Sequence, residues 1–256
     1  MSKIQENRNF MKCPSFVEGM AESDQNNGIT HPIHCHELKG ELIALKPFDA
    51  SVCVDNSYLN LLDVRRSLRV YDRNAAMTQE QLAFMLWSAQ GIQKFREASK
   101  EATLRPVPSG GARHPFELYA AVRNVEGLEM GIYRYVPTAN VGEKQVSIEL
   151  VGGFENYEEQ ISEMVAGQKW AAAAPVVLFL SCVPYRAEWR YCELAHRVAL
   201  IDLGHVGQNI MFSAVGLGMG SCCMAAYNQD ACDKVLGFNG TDEYTVYAVS
   251  VGAAKK

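Results

Sequence analysis

The sequence predicts an α+β fold on three observations. Five stretches dense in β-branched and aromatic residues read as strands, a capped helix opens at Thr78, and a long apolar helix begins near Glu188. With 256 residues, the chain can bury one sizeable core.

Residues 1–58 read as an N-terminal arm, partly irregular: polar at first, then punctuated by proline, with no sustained period. Regularity starts in the 59–256 domain, where Leu59, Leu62 and Val64 lie on a helical segment leading into Arg65-Arg66-Ser67-Leu68-Arg69. Thr78 and Gln81 have capping-box spacing and open a helix with Leu82, Met85, Leu86 and Ala89 on one face, which Gly91 ends. Strands are predicted at 116–122, 131–136, 146–151, 176–183 and 244–251, and a second helix at 157–166. The longest element, about 188–215, carries Leu194, Val198, Ile201, Val206, Ile210 and Met211, with Leu200 and Leu203 on other faces. A helix apolar nearly all round must be covered on all sides, and a second subunit is the expected cover. Gly204 and Gly207 each cost about 1 kcal/mol against alanine, which close backbone packing offsets.

Composition narrows the function. Apolar residues make up 48% and charged residues 21%, the balance of an ordinary globular protein. A net charge of −5 argues against nucleic acid or an anionic membrane as the main partner. No stretch reaches the roughly 18 consecutive apolar residues of a membrane helix. Residues 1–12 lack the hydrophobic region of a signal peptide, so a cytoplasmic protein is expected. The eight cysteines show no CxxC and no disulfide-like spacing; reduced thiols are expected, several of them buried.

Four motifs carry candidate chemistry. In Pro108-Ser109-Gly110-Gly111-Ala112-Arg113-His114-Pro115, two glycines and a serine let backbone approach a flat ligand, with Arg113 and His114 as donors beside the opening. Arg65, Arg66 and Arg69 offer forked permanent charges and Ser67 a hydroxyl, the donor set a phosphate monoester needs. A solvated face paired with Asp63 and Asp72 is the alternative. Gly216-Leu217-Gly218-Met219-Gly220 follows a helix and lacks the dinucleotide fingerprint, which argues against a Rossmann site. It suits a helix cap passing into small residues beside a ring. In His31-Pro32-Ile33-His34-Cys35-His36, an extended backbone puts His34 and His36 on one face, but no second cluster completes a metal site.

The arginine motif, the glycine loop, and the run from Ala195-His196-Arg197 through Gly204-His205-Val206-Gly207-Gln208-Asn209 into Gly216-Leu217-Gly218 occur in an order that resembles the nitroreductase-family flavoproteins. The likeness is closest to their azoline-oxidising subgroup and spans about 59–252. It implies a central, mostly antiparallel sheet flanked by helices, in an intertwined homodimer with FMN at the subunit interface. Arg65, Arg66, Ser67 and Arg69 would hold the phosphate and ribityl chain, with Lys255 as the C-terminal basic residue. Pro108, Ser109, Gly110 and Gly111 would line the ring from the other subunit, and backbone near Met224 and Ala225 would face it. The subgroup's Lys-Tyr pair is here Arg190-Tyr191. Tyr191 can still serve as acid or base, whereas arginine stays protonated. The expectation is therefore a flavin reductase passing hydride from NADH or NADPH to a nitroaromatic or quinone. Dehydrogenation of a peptide heterocycle and non-catalytic flavin binding are the alternatives.

Overall fold

The computed structural model describes residues 2–13, 15–96 and 100–255. Along the chain run α1 (Lys3–Phe10), α2 (Phe16–Gly19), β1 (Leu42–Ala44), α3 (Tyr58–Val64), α4 (Gln79–Gln90), β2 (Lys94–Phe95) and β3 (Thr103–Leu104). Then come β4 (Phe116–Val122), β5 (Gly131–Tyr135), β6 (Ser147–Gly152), α5 (Tyr157–Met164), β7 (Val176–Cys182) and α6 (Tyr185–Tyr191). The last elements are α7 (Ala195–Gly216), β8 (Gly220–Met224), α8 (Gln229–Leu236) and β9 (Tyr244–Gly252). One sheet has the order β1-β6-β5-β4-β7-β9-β8 with every neighbouring pair antiparallel. Strands β2 and β3 form a separate small hairpin.

The central strands β4 and β7 are buried along their whole length, which is why they read as continuous apolar runs. Alternate residues feed two cores. Leu118, Ala120, Leu178 and Leu180 pack under α4 and α7, while Tyr119, Ala121, Val177 and Phe179 pack under α5 and α8. Helix α4 starts at the predicted capping box, with both reciprocal Thr78–Gln81 bonds formed. Gly91 ends it for packing, not for a left-handed cap: its φ is −58°, and a Cβ there would stand 2.5 Å from Trp87 Cδ1.

The expected single helix over 188–215 is two. The chain breaks at Cys192, where φ is +48°, and one 3-10 turn joins α6 to α7. Nothing in the sequence marks this break with glycine or proline. Helix α7 is also not covered on all sides. Leu203, Val206, Ile210 and Ala214 face the sheet and Val198 packs against Tyr191 of α6, whereas Leu200 and Ile201 are 56% and 49% exposed. The stretch 185–216 is apolar enough by length and composition to cross a membrane. Its inward face is nevertheless core, and at Gly207 a Cβ would stand 2.8 Å from Tyr247 Cε1.

The N-terminal arm contains more order than its composition announced. Besides α1 and α2 it supplies β1, the edge strand beside β6. Its residues 35–40 cover a buried charge network on the α5–α8 face. There Glu117 accepts from His36 N and from Arg186 Nη2, while Arg134 bonds Glu149 and the carbonyls of His36 and Glu37. Burial pushes Glu117 up, but Arg186 and Arg134 outweigh it and hold the carboxyl below its ordinary value.

Candidate functional site

The glycine loop is clamped by a residue the sequence did not single out. Asp202, buried on α7, accepts from Ser109 Oγ at 2.6 Å and from Gly110 N at 3.0 Å. Ser109 Oγ in turn accepts from His114 N at 2.9 Å, closing the loop on itself. Burial raises the Asp202 carboxyl, and the two donors oppose that rise. Gly111, Ala112 and His114 all have positive φ, between 44° and 57°, so the loop is a strained, specific conformation. Glycine is required where α6 and α7 approach. A Cβ on Gly110 would stand 2.4 Å from Val198 Cγ1, and one on Gly111 would stand 2.7 Å from the Tyr191 hydroxyl. Tyr191, Gly110 and Gly111 are thus brought together within one chain. Pro108 precedes them, and the loop feeds β4 at Phe116 as predicted.

The arginine motif runs along the free edge of β8. Ser67 bridges Ser221, and Leu68 N donates to Ser221 O at 2.9 Å. Among the described residues, no carboxylate lies within 4.0 Å of Arg65, Arg66 or Arg69, so the salt-bridged alternative with Asp63 and Asp72 does not hold. Among the described residues Arg66 bonds the Arg65 carbonyl, and Arg69 lies over the Trp170 ring at 5.8 Å. The chain end returns to this edge. Lys255 N donates to Val70 O, and Lys255, Arg69, Arg73 and Trp170 line a cavity of about 550 Å³. Lys255 is accordingly beside the arginine segment.

The run after α7 divides between two roles. Gly218, with φ +71°, turns the chain out of α7, as the cap reading expects. Residues 220–224, where no strand was predicted, form strand β8. Gly220 sits there because a Cβ would stand 2.6 Å from Leu68 Cδ2. Because Ser221 O points outward to Leu68, strand alternation turns the Cys223 backbone to the same open edge. Met224 is buried, while Ala225 just beyond is exposed at the end of that edge. Cys222 and Cys223, adjacent on a strand, point to opposite faces, and all eight cysteines are free thiols.

Register shows how far apart the two halves lie. Ser221 faces Val251, Val251 faces Val176, and Val176 faces Val122, at the opposite end of β4 from Phe116. Ser221 is therefore about 14 Å across the sheet and about 20 Å along it from the strand end that the loop enters. One chain presents the arginine edge and the glycine loop at different corners of its sheet.

The histidine cluster does not converge. His31 and His34 stack at 5.2 Å, His34 Nε2 meets Lys100 O at 2.6 Å, and His36 Nε2 meets Glu243 Oε2 at 2.9 Å. His34 and His36 therefore do not share a face. Among the described residues no group of three or more His, Cys, Asp or Glu could hold a metal ion.

Comparisons with known proteins agree with this geometry. The nitroreductase family model matches residues 62–253. A protein named as a nitroreductase in Methanocaldococcus jannaschii is 28% identical over 193 residues, 75% of this chain and 89% of that one. The trifolitoxin-processing protein TfxB of Rhizobium leguminosarum bv. trifolii is 31% identical over 124 residues, 48% of this chain but only 32% of TfxB. Among solved structures, the Escherichia coli microcin synthetase McbBCD complex with truncated pro-MccB17 bound contains a chain of the same fold. Its TM-score is 0.61 at 18% identity, covering 79% of this chain and 75% of that one. An unpaired arginine edge, a clamped glycine loop and this family match lead to one conclusion: the chain belongs to the nitroreductase family of FMN-dependent oxidoreductases.

Proposed function

We propose that the protein passes hydride from NADH or NADPH to an electron-poor acceptor, a nitroaromatic or a quinone, at FMN sites shared between two copies of the chain. The observation that carries this reading is the trio Arg65, Arg66 and Arg69, three cations without an acidic partner among the described residues, with Lys255 brought beside them. When bound, FMN supplies the hydride relay. The chain's residues do the rest. Arg65, Arg66, Arg69 and Lys255 neutralise the phosphate, and Ser67 bonds the ribityl end. The open backbone at Met224 and Ala225 borders the ring. Pro108, Ser109, Gly110 and Gly111 of a second copy close over it, which accounts for the separation of the two halves within one chain. Tyr191 holds or releases a proton at the acceptor.

A second reading, dehydrogenation of a peptide-derived heterocycle, is favoured by the likeness to TfxB and to a chain of the McbBCD complex. Arg190 weighs against it, since a guanidinium cannot serve as a base. The test is anaerobic. Purified protein should carry a yellow chromophore released as FMN, and NADH or NADPH should bleach it. Bleaching by an azoline peptide but by neither nicotinamide would transfer the assignment to the second reading. Colourless protein that takes up no added FMN would defeat both.

A further inference from the structure

The glycine loop turns nearly all of its hydrogen bonds inward. The Ser109 hydroxyl has a single proton, and Asp202 Oδ2 accepts it at 2.6 Å. Gly110 N donates to the same carboxylate, 3.0 and 3.1 Å from its two oxygens. Ala112 N donates to Ser109 O at 3.0 Å, Arg113 N to Gly110 O at 3.2 Å, and His114 N to Ser109 Oγ at 2.9 Å. Arg113 Nε donates to the Gly111 carbonyl at 3.1 Å, with its guanidinium over the Trp189 ring at 4.9 Å. From Gly110 to His114, the backbone donor left without an acceptor among the described residues is Gly111 N–H. Arg190 and Tyr191 close the side of Gly111 on which a Cβ would stand, yet the residue remains exposed.

Asp202 sets this pattern. It is 4% exposed and fixed on α7 beneath the loop. A carboxylate only accepts, so it takes the Ser109 and Gly110 donors together and leaves neither for a ligand. With its proton committed, the Ser109 oxygen accepts from His114 N. Gly111, Ala112 and His114 hold φ values of +57°, +54° and +44°. Two of these three are not glycine, and such a shape persists only while its surroundings enforce it.

We infer that Asp202 is a positioning residue for the flavin reaction: by holding Ser109 and Gly110 it presents Gly111 N–H, the loop's open donor, to an oxygen of the FMN ring bound with a second copy of the chain. This rests on the shared-site reading above. A backbone N–H fixed in advance stabilises the negative charge that reduction places on the ring, with no reorganisation at that moment. Asp202 itself acts through the loop.

The test compares wild type, Ser109→Ala, Asp202→Asn and Asp202→Ala. In flavin-free protein, residue-resolved amide exchange should find Gly110 and His114 protected in the wild type. Asp202→Ala should speed both about tenfold or more, the size of one lost hydrogen bond, while amides of β7 keep wild-type rates. Asp202→Asn should speed them less, since its carbonyl oxygen still accepts. In FMN-loaded protein, Ser109→Ala loosens the loop and leaves the Asp202 charge in place. It should weaken reduced flavin about tenfold more than oxidised flavin, a fall of about 30 mV in the two-electron midpoint potential. A purely structural clamp would leave that potential where it was. Wild-type exchange at Gly110 and His114 in Asp202→Ala overturns the clamp, and an unchanged potential in Ser109→Ala overturns its role toward the ring. If Asp202→Ala does not fold, wild-type exchange at His114 in Ser109→Ala overturns the clamp instead. Wild-type protein that takes up no FMN defeats the functional reading, a failure distinct from that of the clamp because the exchange measurement needs no flavin.

Discussion

At the scale of single residues, charge without a partner is the informative quantity. Among the described residues Arg65 and Arg69 have no carboxylate within 4.0 Å, in a chain of net charge −5 where acidic residues are in excess. Replacing both by alanine removes two charge-assisted contacts of about 1.5–3 kcal/mol each, so the FMN dissociation constant should rise roughly a hundredfold or more. Equilibrium dialysis with fluorescence detection checks this, and flavin retained as in wild type would return these arginines to solvated surface. Titration offers a second residue-scale expectation. Burial holds His34 down at about 4 and His114 well below its ordinary value. The unfolded chain binds protons at both imidazoles near pH 6.5, protons that the folded chain refuses. Stability should therefore be full above pH 6.5 and fall as pH drops from 6.5 toward 4, before the paired carboxylates protonate. Thermal melts across that window, with His114→Gln flattening the slope, measure it. The arginines and glycines were legible because their chemistry is local. Asp202 was not, because an acid on an apolar helix acquires meaning only once folding brings Ser109 and Gly110 to it.

At the scale of elements, strands β4, β5, β6, β7 and β9 fall within one residue or so of their expected bounds, since buried β-branched runs announce themselves. Strand β8 escaped because Gly220, Ser221, Cys222, Cys223 and Met224 carry little β-propensity; β9 imposes the strand by pairing. The break between α6 and α7 escaped for a related reason. Cys192 adopts φ +48° and ψ −126°, a region that favours glycine, without any sequence sign of it. The surrounding packing of Tyr191, Leu194 and Val198 enforces the turn. Cys192→Gly should relieve strain of about 1 kcal/mol and raise the melting temperature by about 2–4 °C, while Cys192→Val should lower it. Differential scanning calorimetry decides; a lower melting temperature for the glycine variant would mean that the turn is unstrained.

At the scale of the molecule, the proposed second copy would be expected at exposed apolar residues. Leu200 and Ile201 on α7 and Tyr58, Leu59 and Leu62 on α3 are too large and too exposed to be explained by the chain alone. Ile210, which the sequence also suggested for an interface, is fully buried against the sheet; a charge there would unfold the domain. Leu200→Asp is the informative variant. It should shift sedimentation toward the monomer and release FMN with it, because on the proposed reading the other copy's Ser109–Gly111 loop completes the site and so would link the two equilibria. A monomer that binds FMN as tightly as the wild type would place the whole site in one chain.

The free edge of β8 has a consequence beyond recognition. Past Leu68, its outward amides and carbonyls from Cys223 onward have no strand partner among the described residues. An uncovered edge is a template for another strand, and sheet proteins ordinarily blunt such edges with charge, proline or a bulge. Here the arginines beside it provide such a defence, by mutual repulsion, and the proposed phosphate would neutralise them. Ligand occupancy and colloidal behaviour are therefore tied to the same few backbone groups. On the proposed reading the loaded chain would have its charge quenched, while the empty chain would be kept from adding strands to itself in part by the electrostatics that make it a receptor.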